Sequence, residues 1–265
     1  MIYTEKDLTF VICAYGESPY LESCIRSLRR QSVRARIVMA TSTPNLTVRN
    51  LASLYGLKLF VNTGERGIAN DWNFALSCAE TPLVMIAHQD DLYHRDYAAE
   101  ILIAANLSDD PILFFTDYGE KRGTKAVKGN RLLRIKRLML LPLRPRFAWA
   151  SRFIRRMVLS FGSPICCPSV TYVKEKLPQQ LFDPSYGVSL DWAAWEKLSV
   201  CSGDFVYVPK LLMLHRIHEE SETTRQIGSS GRSREDLKMY EKFWPEWIAK
   251  VLEHFYSSAE QSNRM

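Results

Sequence analysis

The chain has 265 residues, of which 46% are hydrophobic and 24% charged, the balance of an ordinary folded protein with core enough for one domain or at most two. No stretch of eighteen apolar residues occurs and Met1 is followed by Ile-Tyr-Thr-Glu-Lys-Asp, so neither a spanning helix nor a secretory leader is expected. The formal charge of +6 is unevenly placed: fourteen Lys or Arg and no Asp or Glu lie between Lys121 and Lys174, and the rest of the chain is net acidic. The six cysteines, Cys13, Cys24, Cys78, Cys166, Cys167 and Cys201, lack the Cys-x-x-Cys spacing of a metal knuckle and read as the reduced thiols of a cytoplasmic protein.

Leu8 to Ala14 is a short apolar, β-branched run, and Ser18 to Arg30 then places Leu21, Cys24, Ile25 and Leu28 at helical spacing, which predicts a strand, a turn and a helix. The alternation continues with strands at Ile37 to Ala40, Leu57 to Val61, Leu83 to Ala87 and Ile112 to Thr116, and helices at Asn45 to Tyr55, Asn70 to Cys78 and Asp96 to Asn106. Such alternation across short loops predicts parallel βαβ units with the sheet buried on both faces. Ligands of these sheets sit beyond the carboxyl ends of the strands. After Tyr118 the regularity breaks. From Lys121 to Arg156, Leu-Met-Leu-Leu and Phe-Ala-Trp clusters are mixed with arginines, Pro142 and Pro145, a pattern for two short amphipathic helices about a proline-marked bend. Ser163 to Val173 reads as strand, Leu190 to Val200 as helix and Phe205 to Val208 as extended. Ser233 to Ser257 reads as an amphipathic helix interrupted at Pro245, after a flexible Gly- and Ser-rich connection at Gln226 to Gly231.

The sharpest chemical feature is His88-Gln89-Asp90-Asp91, directly after a strongly apolar strand. Carboxylates there project from a strand end into the ligand crevice, where one or two Asp completed by phosphate oxygens and water suit Mg²⁺ or Mn²⁺. The alternative is that Asp90 and Asp91 cap the following helix. One unit upstream, Gly64-Glu65-Arg66-Gly67-Ile68-Ala69-Asn70-Asp71-Trp72-Asn73 opens a helix with glycines, a place where free N–H groups face a phosphate or sugar hydroxyl.

Together these segments resemble the inverting GT-A glycosyltransferases of family 2, which move a sugar from a nucleotide diphosphate, over Leu8 to about Thr224. The resemblance implies an α/β, Rossmann-like three-layer sandwich with a mainly parallel central sheet. It spans residues 1–225, with a basic amphipathic insertion at about 119–160 and a C-terminal helical extension at 226–265. Where that family has Pro-Thr-Tyr-Asn after its first strand, this chain has Cys13-Ala14-Tyr15-Gly16, which makes Ala14, Tyr15 and Glu17 candidates for donor binding. Its base-reading Asp pair corresponds here to Thr41-Ser42, so hydroxyls stand where carboxylates are expected. Gly67, Asn70 and Asn73 match its Gly-x-x-x-x-x-Asn segment as sugar or nucleotide contacts. Its Asp-x-Asp-Asp metal motif becomes His88-Gln89-Asp90-Asp91, with Gln89 and Asp90 beside the donor and His88, Asp90 and Asp91 as metal candidates; imidazole suits Mn²⁺ better than Mg²⁺.

Gly162 to Ser169 resembles the acceptor-side strand of the family, and its vicinal Cys166 and Cys167 read as packing rather than redox chemistry. Leu190-Asp191-Trp192 resembles its Glu-Asp-Trp segment with leucine for glutamate. Asp191 is then the base that deprotonates the incoming hydroxyl, against the alternative of a helix N-cap flanked by core tryptophans. His215-Arg216-Ile217-His218 resembles its Arg-x-His segment, with Arg216 on the leaving diphosphate and His218 on diphosphate or metal. His215 reads instead as part of a surface charge cluster with the glutamates that follow. Phe243, Trp244, Trp247 and Phe255 read as packing.

The basic segment admits three readings: a nucleic-acid module, against which stands the absence of any such motif, a polybasic face for an anionic bilayer, or a solvated lid or oligomer contact. The sequence thus points to a metal-dependent inverting glycosyltransferase in cell-surface polysaccharide or glycolipid synthesis, cytoplasmic or peripheral on the inner face of the membrane. Its expected partners are a nucleotide-diphosphate sugar and a glycan or lipid-linked acceptor, with an anionic membrane surface and a second copy of the chain as further candidates and nucleic acid excluded. The alternatives are a nucleotidyltransferase and a catalytically degenerate nucleotide-sugar-binding protein.

Overall fold

The computed structural model describes residues 2–218 and 230–261. Strand β1 (Leu8–Ala14) lies in the middle of the first half of the sheet. Its Val11 faces one core and its Leu8, Phe10, Ile12 and Ala14 the other, the two-residue alternation of a strand covered on both sides. It pairs in parallel with β2 (Arg36–Thr41) and β4 (Leu83–His88), and β2 carries β3 (Lys58–Val61) in parallel at the edge. Helices α1 (Leu21–Arg29), α2 (Leu46–Leu54) and α4 (Tyr97–Ala105) bury their apolar stripes on one face. The four residues spaced for that role in α1, Leu21, Cys24, Ile25 and Leu28, are all buried. Helix α3 (Ile68–Cys78) covers the opposite face.

Beyond β4 the sheet is mixed. Strand β8 (Val170–Val173) runs antiparallel between β4 and β6 (Pro111–Arg122), β9 (Asp204–Ile217) runs parallel to β6, and the short β5 (Leu92–Tyr93) closes the far edge against β9. A further short strand, β7 (Lys125–Val127), folds back on β6. The order is β3-β2-β1-β4-β8-β6-β9-β5. Strands β6 and β9 are 12 and 14 residues long, far longer than their apolar runs suggest. Pro209, which ends the apolar run after Val208, has no N–H to offer the ladder. The pairing therefore steps from Thr116–Val208 to Asp117–Leu211 through a bulge and resumes. Ser163 to Cys166 is not strand; it leads into a 3-10 turn at Cys167–Ser169 before β8.

The insertion after β7 contains the two expected helices, α5 (Arg131–Leu140) and α6 (Arg152–Leu159), separated by 3-10 turns at Leu141–Leu143 and Arg146–Ala148. Helix α7 (Leu190–Ser199) follows β8, and α8 (Ser230–Glu241) and α9 (Glu246–Gln261) break at Pro245. The connection expected at 226–231 lies outside the described residues up to 229, and from 230 the chain is helical. The C-terminal helices are integral to the α3 face: Met239, Tyr240 and Ala249 are buried in one core with Trp192 and Trp195. Phe243 and Trp244 pack against that core, whereas Trp247 is exposed. Among the described residues no helix is long and apolar enough to cross a membrane.

Arg155 of α6 ties the insertion to the body. It is fully buried, donates to the carbonyls of Ser199 (2.7 Å), Cys201 and Gly203, and stacks over Phe205. Burial pushes its guanidinium down to about 10, yet it stays charged at neutral pH. Arg155→Ala leaves three carbonyls without a donor and is expected to cost about 3 kcal/mol. Urea unfolding followed by circular dichroism measures that loss.

Candidate functional site

The site forms where β4 ends and the second half of β9 passes it. After His88 the chain turns, with the Asp91 N–H donating to the His88 carbonyl at 3.2 Å, and β5 then pairs Leu92 with Leu214 and Tyr93 with Met213. That pairing sets the two aspartates against residues 215–218. Asp91 has 0% exposure; its Oδ1 accepts the Arg216 backbone N–H at 2.8 Å and lies 3.1 Å from His215 Nδ1. The Asp90 carbonyl accepts from Arg216 Nε at 2.7 Å, and Asp90 Oδ2 is 2.9 Å from His218 Nε2. Tyr20, just before α1, packs against both side chains, 4.2 Å from the Arg216 guanidinium and 5.0 Å between its ring and that of His218.

His215 is therefore paired with Asp91, and the glutamates expected to cluster with it lie outside the described residues. Burial alone would lower its imidazole, but the Asp91 charge and hydrogen bond, with Asp90 behind, outweigh this and hold it above the usual value. The spacing of two histidines three apart gave no sign of this, because β5 alone brings Asp91 beside β9.

His88 is the opposite case. Its ring packs against Trp72 at 4.9 Å between centroids, and its Nε2 is buried with no hydrogen-bond partner. Burial pushes the imidazole down to about 4 against the pull of Asp90, so it is neutral at physiological pH with a nitrogen lone pair or N–H unsatisfied. His88, Asp90 and Asp91 offer one ligand atom each, all within 4.8 Å of one another. A neutral imidazole beside two carboxylates is a donor set that fits Mn²⁺ or another borderline divalent ion. The orphaned nitrogen is what such an ion would satisfy.

The other expected donor contacts are dispersed around the strand ends. Ala14 is buried at the end of β1, and Tyr15 and Glu17 are exposed in the loop that follows. Gln89 holds this loop, its amide accepting from the Tyr15 N–H at 3.0 Å and donating to the Tyr15 carbonyl at 2.9 Å. At the end of β2 the Thr41 hydroxyl accepts the Thr43 N–H, and the Ser42 hydroxyl donates to Asp71 at 2.7 Å. Asp71 also accepts from Asn62 at 2.9 Å, so a carboxylate reaches the end of β2 from α3 although the strand carries none of its own. Gly67 precedes α3 with φ +123°, a conformation that a side chain would strain. Asn70 sits in the first turn and donates to the Arg66 carbonyl at 3.3 Å. Asn73 is fully engaged elsewhere, bonding both backbone N–H groups of Leu181 and Phe182 and the Phe182 carbonyl.

Asp191 lies across the crevice in the first turn of α7 and is not that helix's N-cap, which is Ser189. The turn leading into α7 is held from outside. Glu235 of α8 accepts the N–H groups of Gly187, Val188 and Ser189 at 2.9, 2.8 and 3.0 Å, and Asp236 accepts the Ser189 hydroxyl at 2.8 Å. Within α7, Asp191 Oδ1 accepts the adjacent Trp192 N–H at 2.6 Å. The Cys166 thiol is raised well above its ordinary value, chiefly by burial and then by the charges of Asp91 and Asp191, with Lys136 opposing. Cys167, likewise raised by burial and Asp191, is an inert core thiol rather than a nucleophile.

Residues 9–177 match the family described as Glycosyl transferase family 2. The chain belongs to glycosyltransferase family 2. Comparison by sequence with curated proteins gives no match. Among solved structures, this family 2 chain is similar to residues 1–349 of TarS from S. aureus in complex with UDP-GlcNAc: TM-score 0.64, 13% identity, covering 93% of this chain and 70% of that one. It is also similar to the mannosyltransferase PcManGT from Pyrobaculum calidifontis in complex with GDP-Man and Mn²⁺ (TM-score 0.64, 16% identity, 94% of this chain and 70% of that one). A third likeness is glucosyl-3-phosphoglycerate synthase from Mycobacterium tuberculosis with Mn²⁺, UDP-Glc and phosphoglyceric acid (TM-score 0.52, 17% identity, 83% and 76%). Against a longer S. aureus TarS structure the chain spans 42% of the length. These likenesses establish the GT-A, Rossmann-like fold expected from the sequence.

Glu235, Asp236, Asp71 and Tyr20 were not expected at the site. Asp71 lay inside a quoted motif without a signal of its own, and nothing local marks Glu235, which reaches α7 from 46–48 positions away. Glu235→Ala leaves the N–H groups of Gly187, Val188 and Ser189 without that acceptor and is expected to lower stability by about 2 kcal/mol. A drop in melting temperature larger than that of the exposed control Glu246→Ala checks it.

Proposed function

We propose that this family 2 protein transfers a sugar from a nucleoside-diphosphate sugar to an acceptor hydroxyl with inversion at the anomeric carbon. The observation that carries the reading is the cluster of His88, Asp90 and Asp91 at the carboxyl end of β4, braced by β9. That S. aureus TarS, PcManGT and the M. tuberculosis synthase were solved with UDP- or GDP-sugars, two of them with Mn²⁺, supports the same donor class here.

His88 and Asp90 would hold the ion, because Asp91 is already committed to Arg216 and His215. Such an ion, Mn²⁺ or Mg²⁺, supplies neutralisation of the donor diphosphate. The chain's own residues do the rest. Arg216, fixed by the Asp90 carbonyl and the Tyr20 ring, brings positive charge to the departing diphosphate, and His218 offers a hydrogen-bonding imidazole beside it. The loops after β1 and β2, with Ala14, Tyr15, Glu17, Thr41 and Ser42, and the start of α3 line the nucleotide side. Asp191 accepts the proton of the incoming hydroxyl as its oxygen bonds to the anomeric carbon and the diphosphate leaves from the opposite face. The acceptor belongs to a cell-surface polysaccharide or glycolipid, met on the cytoplasmic side of the membrane. A degenerate binding protein was suggested by the hydroxyls at Thr41-Ser42, but Asp71 restores a carboxylate at that strand end, which weakens that alternative.

Two measurements test this. With a panel of UDP- and GDP-sugars and Mn²⁺, the protein is expected to release free nucleoside diphosphate; no such release, with pyrophosphate formed instead from a nucleoside triphosphate and a sugar 1-phosphate, would indicate a nucleotidyltransferase. Asp191→Asn is expected to bind donor as the wild type does and to lose about 10³-fold in transfer rate; an equally active variant would remove Asp191 from the base role.

A further inference from the structure

The fourteen cations between Lys121 and Lys174 separate into two groups. Several are used by the fold: Arg155 in its cage of carbonyls, Arg137 on the Tyr118 carbonyl (2.8 Å) and Asp117, Arg156 on Glu196 (2.9 Å) and Arg122 on Glu120 (2.8 Å). Arg131, Arg134 and Arg144 are exposed and have no carboxylate partner among the described residues.

Helix α5 shows where this second group lies. Leu133 and Leu140 are buried against the body, while Arg131, Arg134, Ile135, Leu138 and Leu141 are exposed. Arg131, Arg134 and Leu138, with Leu141 just past the helix end, and likewise Arg131, Ile135 and Leu138, are three or four apart, so they form one stripe on the outer face. Ile135, Leu138 and Leu141 are 44%, 65% and 41% exposed, and farther along the insertion Phe147 and Phe153 are 83% and 77% exposed. A solvated helix face carries charge without large apolar side chains, and a core-facing stripe carries the reverse. A stripe with both is what an interfacial helix presents to a bilayer.

From this we infer that the outer face of α5, with Phe147 and Phe153 of the same insertion, docks on an anionic lipid surface, the arginines meeting headgroup phosphates and the apolar side chains entering between them. A second copy of the chain fits less well, since pairing two such faces would bury Arg131 and Arg134 of both copies with no carboxylate in the stripe to meet them. Nucleic acid would satisfy the arginines and leave the leucines and phenylalanines in water.

The surface adjoins the site. Glu120 and Lys121 of β6 pair in register with His215 and Arg216, and Lys136 of α5 acts electrostatically on His215. The insertion therefore leaves the sheet beside the metal cluster, where a docked membrane would present a lipid-linked hydroxyl. This extends the transferase reading to its acceptor, but lipid binding is measured without donor, so the two can fail separately.

The full chain is mixed with vesicles of phosphatidylcholine alone or with phosphatidylglycerol and co-sedimented. The anionic vesicles are expected to bind about tenfold tighter. The double variant Arg131→Glu/Arg134→Glu is expected to remove that preference, and Ile135→Ser/Leu138→Ser to weaken binding about tenfold. Both should keep the wild-type helical circular dichroism and donor cleavage, since neither pair touches the site. Binding that ignores lipid charge, variants that bind as tightly as the wild type, self-association abolished by the serine pair in sedimentation velocity, or stronger retention on RNA than on anionic vesicles would each overturn the assignment.

Discussion

Asp91 is fully buried and bonded to the segment that β5 brings alongside the end of β4. A carboxylate without partners in such a place costs several kcal/mol, and its ionised form persists only when hydrogen bonds and opposite charge surround it. Here the Arg216 N–H and His215 supply both. The same contact fixes the register in which Asp90 meets His218 and Arg216 meets Tyr20. Removing it would leave His88 and Asp90 on their strand end but without the cationic wall opposite. The metal candidates and the residues proposed to meet the leaving group are therefore one assembly, closed by β5.

The first half of the fold was legible because local and tertiary signals agree there. Leu8–Ala14 is apolar because both faces are covered, and α1 carries its four buried residues at 3.6-residue spacing. Legibility failed where pairing outruns hydrophobicity. The outer halves of β6 and β9 contain Asp117, Glu120, His215 and Arg216, polar residues in buried or half-buried places because they line a site rather than a core. The stop signal at Pro209 proved to be a bulge for the same reason: the strand continues past it because its far end serves the chemistry.

The site was legible as a set of residue types and not as a set of partnerships. His88-Gln89-Asp90-Asp91 stood out as a motif, and the structure adds that its histidine has a free buried nitrogen while its last aspartate is committed to β9. Gln89 and Asn73, read as donor contacts, hold loops in place through paired backbone bonds. Glu235 holds the turn that leads into α7 and Asp191, a contact from another helix that is invisible without the third dimension. The charge asymmetry likewise resolved only in space, into arginines that bind the body and arginines that face outward among leucines.

The central claim is that a divalent ion and the Asp91 brace together make the nucleotide site, and calorimetric titration of UDP and GDP tests it most directly. In Mn²⁺ the wild type should bind at least one of them, binding should vanish in EDTA, and the isosteric Asp91→Asn, still folded by circular dichroism, should bind about tenfold more weakly as the β9 wall loosens. Nucleotide binding unchanged by EDTA and by Asp91→Asn alike would contradict it.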